Sequence, residues 1–163
     1  LTGVYRARWS AQVHDEWKRN LLINRPELTA EQLDRTSSLM DRAVPDALVV
    51  DYAPLIEGLN LPDADDRHVL AAAIKCNASV IVTFNLKDFP KGVLDRFDIE
   101  PVHPDDFIAD LWDLDKAAVL EAARRQRASL KSPPHSARQY LDKLLQQKLP
   151  ETVKLLSPFE FLI

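Results

Sequence analysis

The sequence predicts an α/β domain on a parallel sheet, residues 1–114, followed by a purely helical extension, residues 115–163. Three observations carry this expectation. Short apolar, β-branched runs at Ala47–Val50 and Ser79–Thr83 alternate with amphipathic segments. Helix-opening signals stand ahead of those amphipathic segments. Beyond about Asp115 only helical patterns remain.

Each element has a local cause. Ser10 precedes Ala11–Leu22, where Val13, Trp17 and Leu21 recur at helical spacing, and Asn24-Arg25-Pro26 ends that run. Thr29-Ala30-Glu31-Gln32 is a capping-box pattern, and Leu33, Leu39 and Met40 give the helix through about Arg42 its apolar face. Ala47-Leu48-Val49-Val50 reads as a buried strand. Leu59–Asp65 is a loop, and Asp63 or Asp65 is placed to cap a helix from Asp66 to about Asn77 with Val69, Leu70, Ala73 and Ile74 on one face. Ser79–Thr83 is a strand apolar on both faces. A turn from Asn85 to Pro90 leads to a short helix near Val93–Phe97, and Ile99–Val102 reads as an edge strand that tolerates Pro101. Pro104 opens another helix. In the extension, Lys116–Leu130, Ser136–Lys148 and Pro150–Leu156 read as helices, with a break at Ser132-Pro133-Pro134.

Composition narrows the function. At 163 residues, 46% hydrophobic, the chain can bury a core. A net charge of −4 argues against a protein coated in positive charge for non-specific nucleic-acid binding. The single cysteine, Cys76, cannot form an internal disulfide, which suits a reduced, cytoplasmic protein. No apolar run is long enough for a membrane span, and the presence of only three glycines argues against a nucleotide-cradling loop.

The chemistry lies with the acids. Sites in open α/β sheets form at the carboxyl ends of strands, so Asn85 and Asp88, just after Thr83, lie on that rim. Asp66 opens the helix that feeds the same strand, and its N-terminus returns to the same edge. Asp63, Asp65 and Asp66, with Asn85 and Asp88, are costly to gather without a cation, and Mg²⁺ or Mn²⁺ prefers such oxygen ligands. The same acids also suit helix caps and turns, so the residues alone leave both readings open.

Leu61–Ala73 followed by Ile81–Phe89 resembles the PIN-domain nucleases, in which an Asp opens a helix about 17 residues ahead of a strand ending T-x-(N/D). The nearest likeness is to VapC-like toxins of bacterial toxin–antitoxin systems that carry a C-terminal helical extension. The resemblance implies a three-layer α/β/α fold and a metal-dependent endoribonuclease that cleaves single-stranded RNA, inhibited by a cognate antitoxin and capable of homodimerising. It implies catalytic roles for Glu16, Asp66, Asn85, Asp88, Asp63 and Thr83. Of these, Glu16, Asp66, Asn85 and Asp88 would bind Mg²⁺ or Mn²⁺. Asp63 would be an auxiliary acid and Thr83 an orienting hydroxyl. Asp15, the neighbour of Glu16, would point about 100° away around the helix. The family's first acid ends an N-terminal central strand that does not appear after Leu1. The intact protein is expected to have it, and a chain truly starting near Leu1 is expected to be weakly active or inactive.

Competing readings are a catalytically inert PIN-like module that binds RNA or protein, and another acid-rich hydrolase such as a phosphatase. Arg124, Arg125, Arg127 and Lys131 could grip RNA phosphates or simply form a solvated helix end. Tyr5 and Trp9, beside Arg6 and Arg8, read as core or interface residues. His68 reads as a packed or surface histidine rather than a ligand.

Overall fold

The computed structural model describes residues 3–163. The chain forms two compact units. One holds Arg6–Ile81 and Asn85–Pro101; the other holds Val82–Phe84 and Val102–Ile163 with residues 3–5.

In the first unit, helix α1 (Ala11–Asn24) starts where the buried Ser10 hydroxyl accepts the Val13 N–H at 3.2 Å. Helix α2 (Ala30–Ala43) opens on the full capping box, Gln32 N–H to the Thr29 hydroxyl and Thr29 N–H to the Gln32 side chain. Helix α3 (Ala53–Ile56) has no counterpart in the sequence reading, because one turn is too short to display a period. Helix α4 (Arg67–Lys75) buries Leu70, Ala71, Ala72 and Ala73 in succession, which is possible because three of the four are small. It stops at Cys76; Asn77 takes a left-handed φ of 52°, and the Ala78 N–H closes onto the Ala73 carbonyl at 2.9 Å.

Strands β1 (Val80–Val82) and β2 (Glu100–Val102) pair in one sheet. Glu100 N–H bonds the Ser79 carbonyl at 2.9 Å and Thr83 N–H bonds that of Val102 at 3.0 Å, so both chains run the same way. Between them come a 3₁₀ turn at Leu86–Asp88, helix α5 (Lys91–Leu94) and a second 3₁₀ turn at Asp95–Phe97. Leu61, Leu70, Ala73, Ile81, Phe89, Leu94 and Ile99 form the core here.

The sheet is smaller than the sequence suggests. Ala47–Val50 is not a buried strand: Leu48 makes a single parallel bridge with Trp9. Ala47 and Val49 are buried there while Leu48 and Val50 face solvent. β1 likewise buries Ile81 and exposes Val82, so neither segment is covered on both faces. Apolar residues at every position disguised a one-sided environment. The strand expected ahead of Leu1 lies outside the described residues.

In the second unit, helices α6 (Pro104–Leu114), α7 (Lys116–Ser129), α8 (Ala137–Gln146) and α9 (Pro150–Leu156) surround Tyr140, Leu141, Leu144, Leu149 and Leu156. Helix α6, expected to close the 1–114 portion, sends Ile108 and Trp112 into this cluster. Asp115 ends α6 and also caps α7, accepting the Ala118 N–H at 2.9 Å. The Lys116 ammonium lies 3.8 Å from the Phe159 ring centroid and 5.1 Å from that of Trp112. Asp105 is buried, and its carboxylate accepts the N–H groups of Glu151 and Thr152, both at 2.8 Å, and the Thr152 hydroxyl at 2.7 Å. It thereby ties α6 to the first turn of α9. No helix among the described residues is long and apolar enough to cross a membrane.

Candidate metal centre

Asp66 sits at the head of α4 but does not cap it. Its backbone is already helical, φ −79° and ψ −8°, and its side chain makes no cap bond. A capping side chain needs an extended backbone to reach back to the first free N–H groups. The Asp66 carboxylate is therefore left available for other chemistry. Asp63 and Asp65 do not cap α4 either. Asp63 Oδ1 accepts the Asp65 N–H at 2.9 Å, an Asx turn that shapes the loop into the helix.

The 3₁₀ turn after β1 brings Asp88 to the same place. One carboxylate oxygen from each of Asp63, Asp66 and Asp88 lies within 4.8 Å of the others. Asp88 is further held by the Asn85 side-chain amide, which donates to Asp88 Oδ2. Burial, then the negative charges of Asp63, Asp88 and Glu16, push the Asp66 carboxyl above its ordinary value, with His68 opposing. The cluster is thus short of positive charge.

The donor set fits a hard divalent cation. Ligand oxygens about 2.0–2.6 Å from a shared ion stand roughly 3–5 Å apart, the spacing of these three carboxylates. Asp63 and Asp66 with Asp88 could hold the ion, and Asp63, expected only as an auxiliary acid, is inside the cluster. Glu16, expected as a ligand, bonds His68: Glu16 Oε1 to His68 Nε2 is 2.8 Å. Its charge nevertheless reaches Asp66. Asp15 turns away to Lys18 at 3.3 Å. Thr83 belongs to the other compact unit, where its backbone N–H bonds Val102.

His68, which the sequence reads as a packed or surface histidine, is buried and also bonded to an acid of the proposed set. The available signal was its place two residues after Asp66, on a helical face otherwise filled by apolar side chains. A second network had no sequence signal, since its members are far apart in the chain. Trp17 donates its indole N–H to His14 Nδ1 at 2.9 Å, and His14 Nε2 lies 3.0 Å from Asp41 Oδ1. Trp9 donates to the same Asp41 oxygen at 2.7 Å. The His14 bond, then that of Trp9, holds the Asp41 carboxyl below its ordinary value. This network fastens α1 to α2 and to the Trp9 bridge.

The arginines considered for RNA are engaged inside the helical unit. Arg124 makes a two-pronged pair with Glu121 at 2.7 and 2.9 Å, and Arg125 bonds the same carboxylate at 2.5 Å. The two guanidinium groups hold the Glu121 carboxyl down at about 2. Arg127 donates to the His135 carbonyl at 3.0 Å.

Residues 1–87 match the family model of the PIN domain, and residues 104–158 match that of the VapC50 C-terminal domain. The curated protein named "Putative ribonuclease VapC50", from Mycobacterium tuberculosis, is 40% identical over 101 residues, which is 62% of this chain and 59% of that protein. The chain thus spans less than two thirds of that relative's length. No solved structure matches the chain. The PIN match takes in 87 of the 163 residues, including Glu16, Asp63, Asp66 and Asn85, and stops one residue short of Asp88. The chain belongs to the PIN-domain family, with a VapC50-type C-terminal domain following the PIN region.

Proposed function

We propose that the protein is a metal-dependent endoribonuclease that hydrolyses single-stranded RNA, and that it is the toxin of a toxin–antitoxin pair. The observation that carries the reading is the Asp63, Asp66 and Asp88 cluster, one oxygen from each within 4.8 Å of the others, in which burial and the neighbouring acids hold the Asp66 carboxyl above its ordinary value. Mg²⁺ or Mn²⁺ held there would supply an activated water and neutralise charge on the scissile phosphate. Asp63, Asp66 and Asp88 are the ligands in this reading. Asn85 orients Asp88 through its amide, and Glu16 lends a further carboxylate at the edge of the cluster.

The relative's name supports ribonuclease activity, and the VapC50-type domain supports membership in a toxin–antitoxin system with a protein antitoxin as partner. A homodimer is part of the same proposal. In it the exposed Arg124 and Arg125, with the half-buried Arg127, contribute a basic surface to RNA binding.

The test uses the full-length gene product, a single-stranded RNA and Mn²⁺. Wild type is expected to cut the RNA and to stop when the metal is chelated. Asp66→Asn is expected to lose at least about a hundredfold in cleavage rate. An Asp66→Asn protein that cuts as fast as wild type overturns the proposal.

A further inference from the structure

We propose that His68 is a positioning residue: its Nε2–H holds Glu16 Oε1 and so fixes the Glu16 carboxylate at the edge of the Asp63, Asp66 and Asp88 cluster. This rests on the metal-dependent reading above. The two side chains come from different helices, 52 residues apart in sequence, and meet at 2.8 Å. The imidazole is 5% exposed, while the Glu16 side chain keeps 34% of its surface. The enclosed partner therefore holds the more exposed one.

The hydrogen-bond inventory fixes the direction of this contact. A carboxylate only accepts, so Nε2 carries the proton. His68 Nδ1 is buried and has no hydrogen-bond partner among the described residues. His68 thus offers one donor, and Glu16 takes it.

A glutamate on a helix surface has three rotatable bonds, and ordering it at the moment of ligand binding costs affinity. A buried donor removes that cost in advance, as outer partners of metal ligands generally do. A merely structural contact would instead show itself in folding alone.

Mn²⁺ binding to the full-length protein, measured by calorimetry, separates the two roles. His68→Leu keeps the volume and removes the donor. It is expected to fold, because it also removes the unpartnered Nδ1, and to bind Mn²⁺ roughly 10–100-fold more weakly. His68→Gln, whose amide nitrogen can reach the same acceptor, is expected to recover most of the loss. Equal Mn²⁺ affinity in wild type and His68→Leu overturns the positioning role while leaving the metal reading standing. Wild type that binds no Mn²⁺ overturns the metal reading itself, and the positioning role with it. A metal-free measurement covers the case in which the leucine variant does not fold. Wild type should show a slowly exchanging His68 Nε2–H in nitrogen-resolved NMR spectra, and Glu16→Ala should lose that protection. An exchange rate unaffected by Glu16→Ala overturns the proposal.

Discussion

Asp66 and Asp105 are two carboxylates at least partly removed from water whose surroundings drive them in opposite directions. Asp105 is 4% exposed, yet three donors from the start of α9 converge on it. Burial alone would raise its carboxyl, but the Thr152 hydroxyl and the Thr152 and Glu151 N–H groups outweigh burial and hold it below its ordinary value. Asp66 heads a helix without bonding its N–H groups, and burial and three neighbouring acids push it up. A saturated carboxylate ties elements together, whereas in the proposed function the unsaturated cluster waits for a cation. On that proposal stability and function fall to different acids.

The largest test of that contrast exchanges charge for neutrality at Asp66. Beyond the loss of cleavage, Asp66→Asn should raise the thermal midpoint of the metal-free protein, since it removes repulsion with Asp63, Asp88 and Glu16. A lower midpoint in differential scanning calorimetry would mean that the cluster stabilises the fold, and the contrast would fail.

Asp105→Ala should act the other way. It leaves the Thr152 hydroxyl and two N–H groups without their acceptor, at an expected cost of about 2–4 kcal/mol read from urea unfolding. Removal without a measurable shift in midpoint would show that water replaces the carboxylate at no cost.

A smaller effect follows from pH. A carboxyl whose folded value is depressed contributes stability that is fully present above its unfolded value, about 3.9, and is lost as pH falls through the folded value. Between the two, the unfolded chain binds more protons, so stability rises with pH. Urea midpoints of wild type and Asp105→Ala should therefore differ most near pH 6 and converge toward pH 3. A gap that does not narrow would assign the stabilisation to packing.

The smallest effect belongs to the exposed arginines. Arg124→Ala with Arg125→Ala removes both partners of Glu121, yet exposed pairs of this kind contribute little. The unfolding midpoint should not move measurably. If RNA affinity drops in a binding assay while the midpoint holds, these side chains serve the substrate rather than the helix.

Much of the helical content was legible because its signals are local. Ser10, Thr29 with Gln32 and Pro104 stand one to three residues from the groups they serve, and each helix begins where they indicate. The strands were legible as apolar runs but not in their surroundings. Ala47–Val50 carries the composition of a covered strand, and only the fold leaves Leu48 and Val50 exposed. The His14–Asp41–Trp9 network and the Asp105 cap were illegible, since each joins segments separated by more than 25 residues.

The acids divide along the same line. Sequence alone gathered Asp63, Asp65 and Asp66 with Asn85 and Asp88 as candidates, because the opening of a helix and the turn after the strand it feeds share one edge of a sheet. Tertiary structure decided the rest. It left Asp66 uncapped, brought Asp63 within 4.8 Å of Asp66 and Asp88, and engaged Glu16 with His68. Capping and ligation call for the same residue type, and only the backbone angles and neighbours of Asp66 separate them.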